Sequence, residues 1–465
     1  MNKKNLFTEF DSVPTKAWKQ KIQVDLKGAD YNDTLVWDSA EGLKIKPFYN
    51  RDDYPGRNYT PAPPKKWFIG QRILVHDASH GNQKAIDLLT KGVESLIFEI
   101  PNTSVVPKNL FQDIDLVSIP VYLQFGSFSS EMIRPFLDYN KNSGNQIFMG
   151  LDPLGHLAGT GNWYSNENKD LGQLESLLKT YPGQALLQVD MDLYQNAGAT
   201  AVQQLAYALA QVNEYLIRFQ KLLTPNASEI PVVTFRVAVG ANYFSEIAKL
   251  RALRLLWKSL AQEYGVQDHC HIIAEPSRRN KTLYDYNVNM LRTTTESMAA
   301  VLGGANTVIN LPYDALYHEA NSFGDRISRN QLLILKKESY FDKVNNAADG
   351  AYYIESLTQQ LADEALRLFK SIEKGGGWLS QLQNHILQRK IKESAAAEQQ
   401  AYDSGKLVLI GSNKYPNPDD RMKENLEKSP FLQKASRKTL VEPILPKRLS
   451  EKEEQKRLQD EQTQP

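Results

Sequence analysis

Apolar residues along this chain gather in short runs of strand length, and longer helical patterns separate them. The runs are rich in β-branched and aromatic residues and carry few charges, which is typical of strands buried on both faces of a parallel sheet. Eight of them follow one another: Gln71–Val75, Leu96–Ile100, Val121–Phe125, Gln146–Leu151, Ala185–Asp190, Val232–Ala238, His271–Glu275 and Thr307–Leu311.

Two of the intervening helical patterns are long, Gly198–Leu223 and Tyr243–Tyr264. The second has an apolar residue every three or four positions, so one face of it meets a core. Eight strand–helix units predict an α/β fold in which a parallel sheet closes into a (β/α)8 TIM barrel. The pattern alone also allows an open, doubly wound sheet.

An N-terminal extension, residues 1–66, precedes the barrel. It contains an amphipathic helix pattern at Ala17–Lys27 and a stretch rich in Pro, Tyr and Gly at Pro47–Pro64. Because the stretch lacks the hydrophobic periodicity of a folded domain, we expect the extension to wrap over a surface of the barrel or of a partner, and we assign it to the subunit contact.

The C-terminal part begins with helical patterns at Asp325–Tyr340, Tyr352–Glu373 and Leu379–Gln400, which complete a barrel unit over residues 67–400. Residues 401–465 are predicted to be a coil, Lys414–Pro446, and a charged tail, Ser450–Pro465. The tail's composition indicates a solvated helix end or a frayed segment.

Composition narrows the function classes. A net charge of +1 gives no field that would favour nucleic acid or a membrane surface. Cys270 is the single cysteine, which excludes an internal disulfide and fits a reducing cytoplasm. The sequence has no apolar run of membrane-spanning length and no signal-peptide pattern at its N-terminus.

A series of motifs runs through the chain, and their order is as informative as their residues. They are Asp25–Gly28, Leu35–Trp37, Pro47–Tyr49, Gln195–Thr200, Ala248–Trp257, Glu296–Ala300, Arg326–Asn330, Gly350–Thr358, Glu373–Gly377 and Asn413–Tyr415. In these motifs, from about Phe10 to Pro446, the chain resembles the methylmalonyl-CoA mutase family.

That resemblance implies a (β/α)8 barrel and a radical isomerisation of an acyl-CoA that depends on adenosylcobalamin. It further implies a heterodimer, in which this chain is the small, non-catalytic subunit. A homologous large subunit would then bind adenosylcobalamin and the acyl-CoA, and this chain would bind no cofactor. The acyl group itself is left open, because isobutyryl- and ethylmalonyl-type mutases share the scaffold.

The family's cobalt ligand has no counterpart in this sequence. In catalytic members it is the histidine of an Asp-x-His-x-x-Gly motif on a Rossmann-like cobalamin domain. No histidine of this chain stands two residues after an aspartate, and we expect no such domain: the histidines are His76, His80, His156, His269, His271, His318 and His385.

The family's catalytic positions in the barrel are also altered. Leu193, in Met191-Asp192-Leu193, stands where the catalytic members have a histidine that hydrogen-bonds the thioester carbonyl. Arg72 stands where they have an active-site tyrosine, and their Pro-Ser-Met-Arg segment has no match between Asn162 and Gly183. Leucine donates no hydrogen bond, and losing one such donor costs roughly 10²–10³ in rate. We therefore assign no catalytic, cofactor-binding or metal-binding residue.

The barrel lumen is predicted to be filled. Catalytic members thread the pantetheine arm of CoA along the barrel axis, which requires small inward side chains. Whichever register faces inward here, bulky residues stand there: Ile97, Phe98, Tyr122, Leu123, Phe148, Leu187, Val189, Phe235, Ile272 and Ile309. Thr234, Gln188 and Asn310 still allow a partial tunnel.

Other polar segments are weaker candidates for a metal or ligand site. His269-Cys270-His271 at a loop–strand boundary is a weak metal candidate, because alternation sends Cys270 to the opposite face. Gly303–Asn306 is interpreted as a helix cap, and Lys336-Lys337-Glu338 as a solvated helix face.

Asp190, Asp192 and Glu275 lie near the C-terminal ends of strands, where barrel enzymes have their active sites. Acid–base chemistry there would make the chain a repurposed barrel, whereas ion pairs with Arg236, Arg278 or Arg279 are the structural alternative. A further alternative is the substrate-binding barrel of a split acyl-CoA mutase, of the isobutyryl type, that uses a separate cobalamin-binding chain.

Overall fold

In the computed structural model, eight parallel strands close into a barrel, as predicted for a (β/α)8 fold. The structure describes residues 9, 13–53, 61–101, 105–141, 144–223, 231–432 and 437–463. The strands pair in chain order, and the last pairs with the first: β1 (Phe68–Leu74), β2 (Ser95–Ile100), β3 (Val121–Phe125), β4 (Ile147–Leu151), β5 (Ala185–Asp190), β6 (Val233–Val239), β7 (His271–Pro276) and β8 (Thr307–Ile309).

Helices surround the barrel and flank it in the chain. They are α1 (Thr15–Asp25), α2 (Tyr31–Leu35), α3 (Ala78–Thr90), α4 (Pro107–Leu110), α5 (Ser130–Asn140), α6 (Pro153–Thr160), α7 (Glu167–Thr180), α8 (Asp192–Ala197), α9 (Ala201–Leu223), α10 (Tyr243–Tyr264), α11 (Val288–Leu302), α12 (Ser322–Lys337), α13 (Tyr352–Lys374), α14 (Gly377–Gln383), α15 (Ile386–Asp403) and α16 (Glu451–Thr463). Two 3-10 helices, Arg51–Asp53 and Lys423–Asn425, and a ribbon of Trp37–Asp38 with Lys44–Ile45 complete the described elements.

Alternation along the strands divides the core in two. Outward side chains pack against the helices: the Phe98 ring lies 5.8 Å from that of Phe111, and the Phe235 ring 5.6 Å from that of Trp257. Leu123 belongs to the same outer core. Six of the bulky strand residues considered for the lumen belong to this outer core and so do not fill the lumen: Phe98, Leu123, Leu187, Val189, Phe235 and Ile272.

Short polar side chains start several of the barrel helices. Asp77, Ser129 and Asp152 accept hydrogen bonds from the free backbone N–H groups at the starts of α3, α5 and α6. Each cap follows a strand within a few residues, so it fixes where the chain turns from strand to helix. At the C-terminal end of α11, Gly303 and Gly304 end the helix, which confirms the interpretation of Gly303–Asn306 as a helix cap.

The N-terminal extension contacts the barrel at a few points. The Glu41 carboxylate accepts a hydrogen bond of 2.9 Å from the backbone N–H of Val202 at the start of α9. None of the 11 residues of α1 is buried. Residues 54–60 of the Pro47–Pro64 stretch lie outside the described residues, and the boundaries predicted at residues 66 and 400 stay predictions.

Two interpretations of the C-terminal part need correction. The pattern at Leu379–Gln400 forms two helices, α14 and α15, because His385 between them has a left-handed backbone with φ of 58°. Lys336 is not on a solvated face: its side chain is buried, and its ammonium lies 2.6 Å from the Glu94 carboxylate.

The charged tail is a docked helix. Leu458 of α16 packs in a cluster with Leu283 and Tyr284, and the buried Glu454 carboxylate accepts a 2.8 Å hydrogen bond from the Leu283 backbone N–H. The part of the tail that the structure describes, α16, is therefore packed against the rest of the chain and not wholly solvated. No helix within the described ranges is long and apolar enough to cross a membrane.

Candidate functional site

A layer of rings closes the lower half of the lumen. The Tyr122 ring of β3 stacks on Phe148 of β4 at 4.8 Å, and Phe148 lies 4.4 Å from the His271 imidazole of β7. The Tyr122 hydroxyl reaches across the barrel to His271 Nε2 at 2.7 Å and to Thr307 Oγ1 at 2.9 Å. Isoleucines from three strands, and Ala185 at the start of β5, belong to the same cluster: Ile97, Ile273 and Ile309. This part of the lumen is filled, as expected from the sequence.

Charged side chains cross the upper half of the lumen. Arg72 of β1 donates to Glu99 at 3.1 Å and to Gln124 at 2.8 Å, and it also pairs with Glu275 of β7. Arg236 of β6 donates to the other oxygen of Glu275 at 3.2 Å. The two guanidinium groups and the shared carboxylate span the barrel, at the level where a ligand on the axis would have to pass.

Arg236 also pairs with two aspartates, at the end of β5 and the start of α8. Its guanidinium lies 2.9 Å from the Asp192 carboxylate and 3.8 Å from that of Asp190. Burial raises the pKa of Asp190 and of Asp192 to about 6, although the charge of Arg236 opposes the rise. Burial would also raise the pKa of Glu275, but Arg72 and Arg236 hold it well below its ordinary value.

These contacts bear on the two interpretations of the carboxylates. Asp190, Asp192 and Glu275 are all ion-paired with Arg236, as in the structural alternative. Arg279 does not take part, because it pairs with Glu398 at 2.5 Å. Glu275, held between Arg72 and Arg236, is the carboxylate of the three whose pKa is lowered, so it is the poorest base among them.

Above this network, a cavity of about 490 Å³ opens at the C-terminal mouth of the barrel. Leu193, in the first turn of α8, lines it, and its partly buried side chain packs against the hydrophobic core. Its aliphatic side chain offers nothing that could polarise a carbonyl at this wall. Gln188 faces the same cavity and donates to Asp190 at 2.7 Å, whereas Asn310 points away from the lumen to the Ser328 carbonyl.

Two features of the mouth were not predicted from the sequence. Asp152 is buried and accepts hydrogen bonds from the Tyr215 hydroxyl at 2.7 Å and the Gln211 amide at 2.8 Å. The Asp-Pro pair directly after a strand signals the helix cap but not these distant partners. His156 stacks on Tyr164 with ring centroids 3.5 Å apart, and burial lowers its pKa to about 4.

The His269-Cys270-His271 run does not converge on a site. His271 lies inside the barrel against Tyr122, whereas Cys270 is buried in the outer core. Burial also raises the pKa of the Cys270 thiol, so the thiol form dominates at neutral pH. Among the residues that the structure describes, no group of three or more His, Cys, Asp or Glu could hold a metal ion.

Comparison with known proteins agrees with the geometry. A family model described as methylmalonyl-CoA mutase matches residues 105–462. The methylmalonyl-CoA mutase small subunit of Porphyromonas gingivalis is 33% identical over 445 residues, 89% of this chain and 72% of that protein. The Streptomyces virginiae small subunit is 30% identical with the same coverages. The methylmalonyl-CoA mutase of Rhizobium meliloti is 33% identical over 86% of this chain and 64% of its own length. The chain therefore belongs to the methylmalonyl-CoA mutase family.

Proposed function

We propose that this chain is the small, non-catalytic subunit of a heterodimeric methylmalonyl-CoA mutase in the cytoplasm. The complex would interconvert (R)-methylmalonyl-CoA and succinyl-CoA, and a homologous large subunit would bind the acyl-CoA and adenosylcobalamin. The small-subunit names of the relatives from P. gingivalis and S. virginiae support the assignment.

The filled lumen is the observation that carries the non-catalytic role. An acyl-CoA on the barrel axis would have to displace Tyr122, Phe148 and the Arg72–Glu275 pair. Displacing one partner of a buried ion pair typically costs about 3–5 kcal/mol, in addition to the cost of the lost ring packing. Because these groups also hydrogen-bond across the barrel, a substrate channel would require several strands to release contacts together. The same argument disfavours the substrate-binding barrel of a split mutase.

Adenosylcobalamin would supply the radical by homolysis of its cobalt–carbon bond. Three of the described histidines do not fit this group. His156, which lines the mouth cavity, is stacked on Tyr164, and His271 is hydrogen-bonded inside the lumen. His318 lies 3.2 Å from the Asp314 carboxylate, away from the mouth lining. We therefore place the cofactor on the partner.

The N-terminal extension, residues 1–66, is the proposed contact with that partner. Four of its large apolar side chains are half or more exposed, and no residue of α1 is buried: Val13, Trp18, Val24 and Trp37. A helix whose apolar residues stay in water gains its stability by packing elsewhere.

Co-expression with the large subunit tests the proposal. We expect a 1:1 complex that turns over methylmalonyl-CoA and an isolated chain that does not, with adenosylcobalamin supplied to both. Titration calorimetry with a methylmalonyl-pantetheine thioester, the part of the substrate that would enter the lumen, should give no binding to the isolated chain. Saturable binding of the thioester, or turnover by the isolated chain, would refute the proposal.

A further inference from the structure

A second cavity, of about 550 Å³, lies at the end of the barrel opposite the mouth. Its walls come from the chain that leads into β1, the turn between α11 and β8, the last residues of α12 and the loop Ser339–Ala347. It lies beside the strands instead of on the barrel axis, so the closure of the lumen does not block it. A volume of this size is ordinary for a small-molecule site.

Buried contacts hold the cavity walls together. The buried Lys336 ammonium donates to the Glu94 carboxylate at 2.6 Å and to the Trp67 carbonyl at 2.5 Å, and it lies 4.4 Å from the centre of the Trp67 ring. The Trp67 indole N–H donates in turn to the Phe341 carbonyl at 3.1 Å. These contacts fix the positions of the walls, which reduces the cost of ordering them on binding.

Three further ammonium groups surround the cavity. Lys65, Lys66 and Lys337 are exposed, and within the described part of the chain none of them has an ion-pair partner. Of the two wall carboxylates, Glu94 is neutralised by Lys336, and Asp342 lies 3.4 Å from the Lys343 ammonium. The excess of positive charge favours a ligand with more than one negative charge, and lysines commonly bind phosphate.

The wall formed by the loop Ser339–Ala347 provides a hydrogen-bond acceptor and an aromatic ring. Asp342 Oδ1 is buried and has no hydrogen-bond partner, so it can accept a hydrogen bond from a ligand hydroxyl. The Tyr340 side chain is 63% exposed at the cavity, although its backbone is held in the left-handed region with φ of 58°. Asn346, in the same wall, has φ of 56°. Such strain in non-glycine residues concentrates at ligand sites.

We propose that this cavity binds a nucleoside diphosphate. The three lysines face the phosphates, Asp342 accepts from the ribose hydroxyls, and the exposed Tyr340 ring provides a stacking surface for the base. This inference goes beyond the role in the mutase, because binding requires neither the lumen nor the partner subunit.

Calorimetry of the full chain with ADP tests the inference. We expect saturable binding that weakens with added salt, since each phosphate contact releases counterions on binding. The double variant Lys66→Gln/Lys337→Gln should bind ADP at least about tenfold more weakly. Lys141→Gln/Lys169→Gln, which removes the same charge from exposed sites on the β3–β5 side, should leave the affinity unchanged.

Two further variants separate recognition from structural damage. Asp342→Ala should weaken ADP binding, and Tyr340→Gly should do so without loss of thermal stability, because glycine adopts the left-handed backbone freely. Adenosine and inorganic pyrophosphate should each bind at least about tenfold more weakly than ADP, as each lacks half of the contacts. No ADP binding, or equal affinities for ADP and pyrophosphate, would overturn the assignment. The mutase assay does not enter this test, so the two proposals can fail separately.

Discussion

Replacing Arg236 by methionine removes the cation that three mouth carboxylates share. Glu275 keeps its pair with Arg72, and Asp190 keeps the Gln188 amide, but Asp192 keeps no other cation within ion-pair distance among the described residues. Methionine fills a similar volume, so the change in packing is small. The effect on stability is therefore mainly electrostatic.

The magnitude follows from the two aspartates. Their pKa is already about 6 in the presence of Arg236, and without it burial should raise the pKa further. Each additional unit costs about 1.4 kcal/mol at a pH above the raised value, so a rise of one to two units in both aspartates costs about 3–5 kcal/mol. A raised carboxyl pKa favours the folded state at low pH, and that benefit is lost as pH rises through the folded-state pKa.

Urea denaturation at pH 8 and at pH 5 measures this loss. Arg236→Met should lose about 3–5 kcal/mol of unfolding free energy at pH 8 and clearly less at pH 5, where both aspartates are protonated. Arg278→Met is the matched control: its side chain is exposed at the same mouth and should cost less than about 1 kcal/mol. Wild-type stability of Arg236→Met at pH 8, or a loss that does not shrink at pH 5, would refute the reasoning.

Three other substitutions test separate parts of the account. Leu193→His should not create binding of methylmalonyl-pantetheine, because the lumen below stays filled; calorimetry that detects binding would contradict this. Glu454→Gln should cost about 1–3 kcal/mol and expose the C-terminal residues to limited proteolysis, since the buried carboxylate pairs with Arg448 at 2.6 Å; an unchanged cleavage pattern would argue against docking. Trp18→Asp should weaken binding to the large subunit at least about tenfold and leave the unfolding midpoint of the isolated chain unchanged; unaltered affinity would remove α1 from the interface.

The barrel could be predicted from the sequence because its signal is local. Continuous apolar runs mark strands buried on both faces, and the period of Tyr243–Tyr264 predicts a helix with the bounds that α10 has. The lumen could be predicted only in part. Alternation shows that every second residue faces inward, but Phe98 and Ile97 are equally apolar, and only the closed structure shows that Ile97 is the inward one.

Charged residues were harder to interpret because their partners lie far away in the chain. Arg72 pairs with Glu275 across 203 positions, and Lys336 pairs with Glu94 across 242. A local pattern cannot separate such a buried lysine from a solvated one. The docking of α16 was missed for the same reason, since Leu458 is a single apolar residue in a highly charged segment.

Turnover by the isolated chain is the most direct test of its role as a non-catalytic subunit. The full chain, purified without its partner and supplied with adenosylcobalamin and methylmalonyl-CoA, should form no succinyl-CoA, and the purified heterodimer should form it while binding one cofactor per pair of subunits. Succinyl-CoA formed by the isolated chain, or two cofactors bound per heterodimer, would contradict the account.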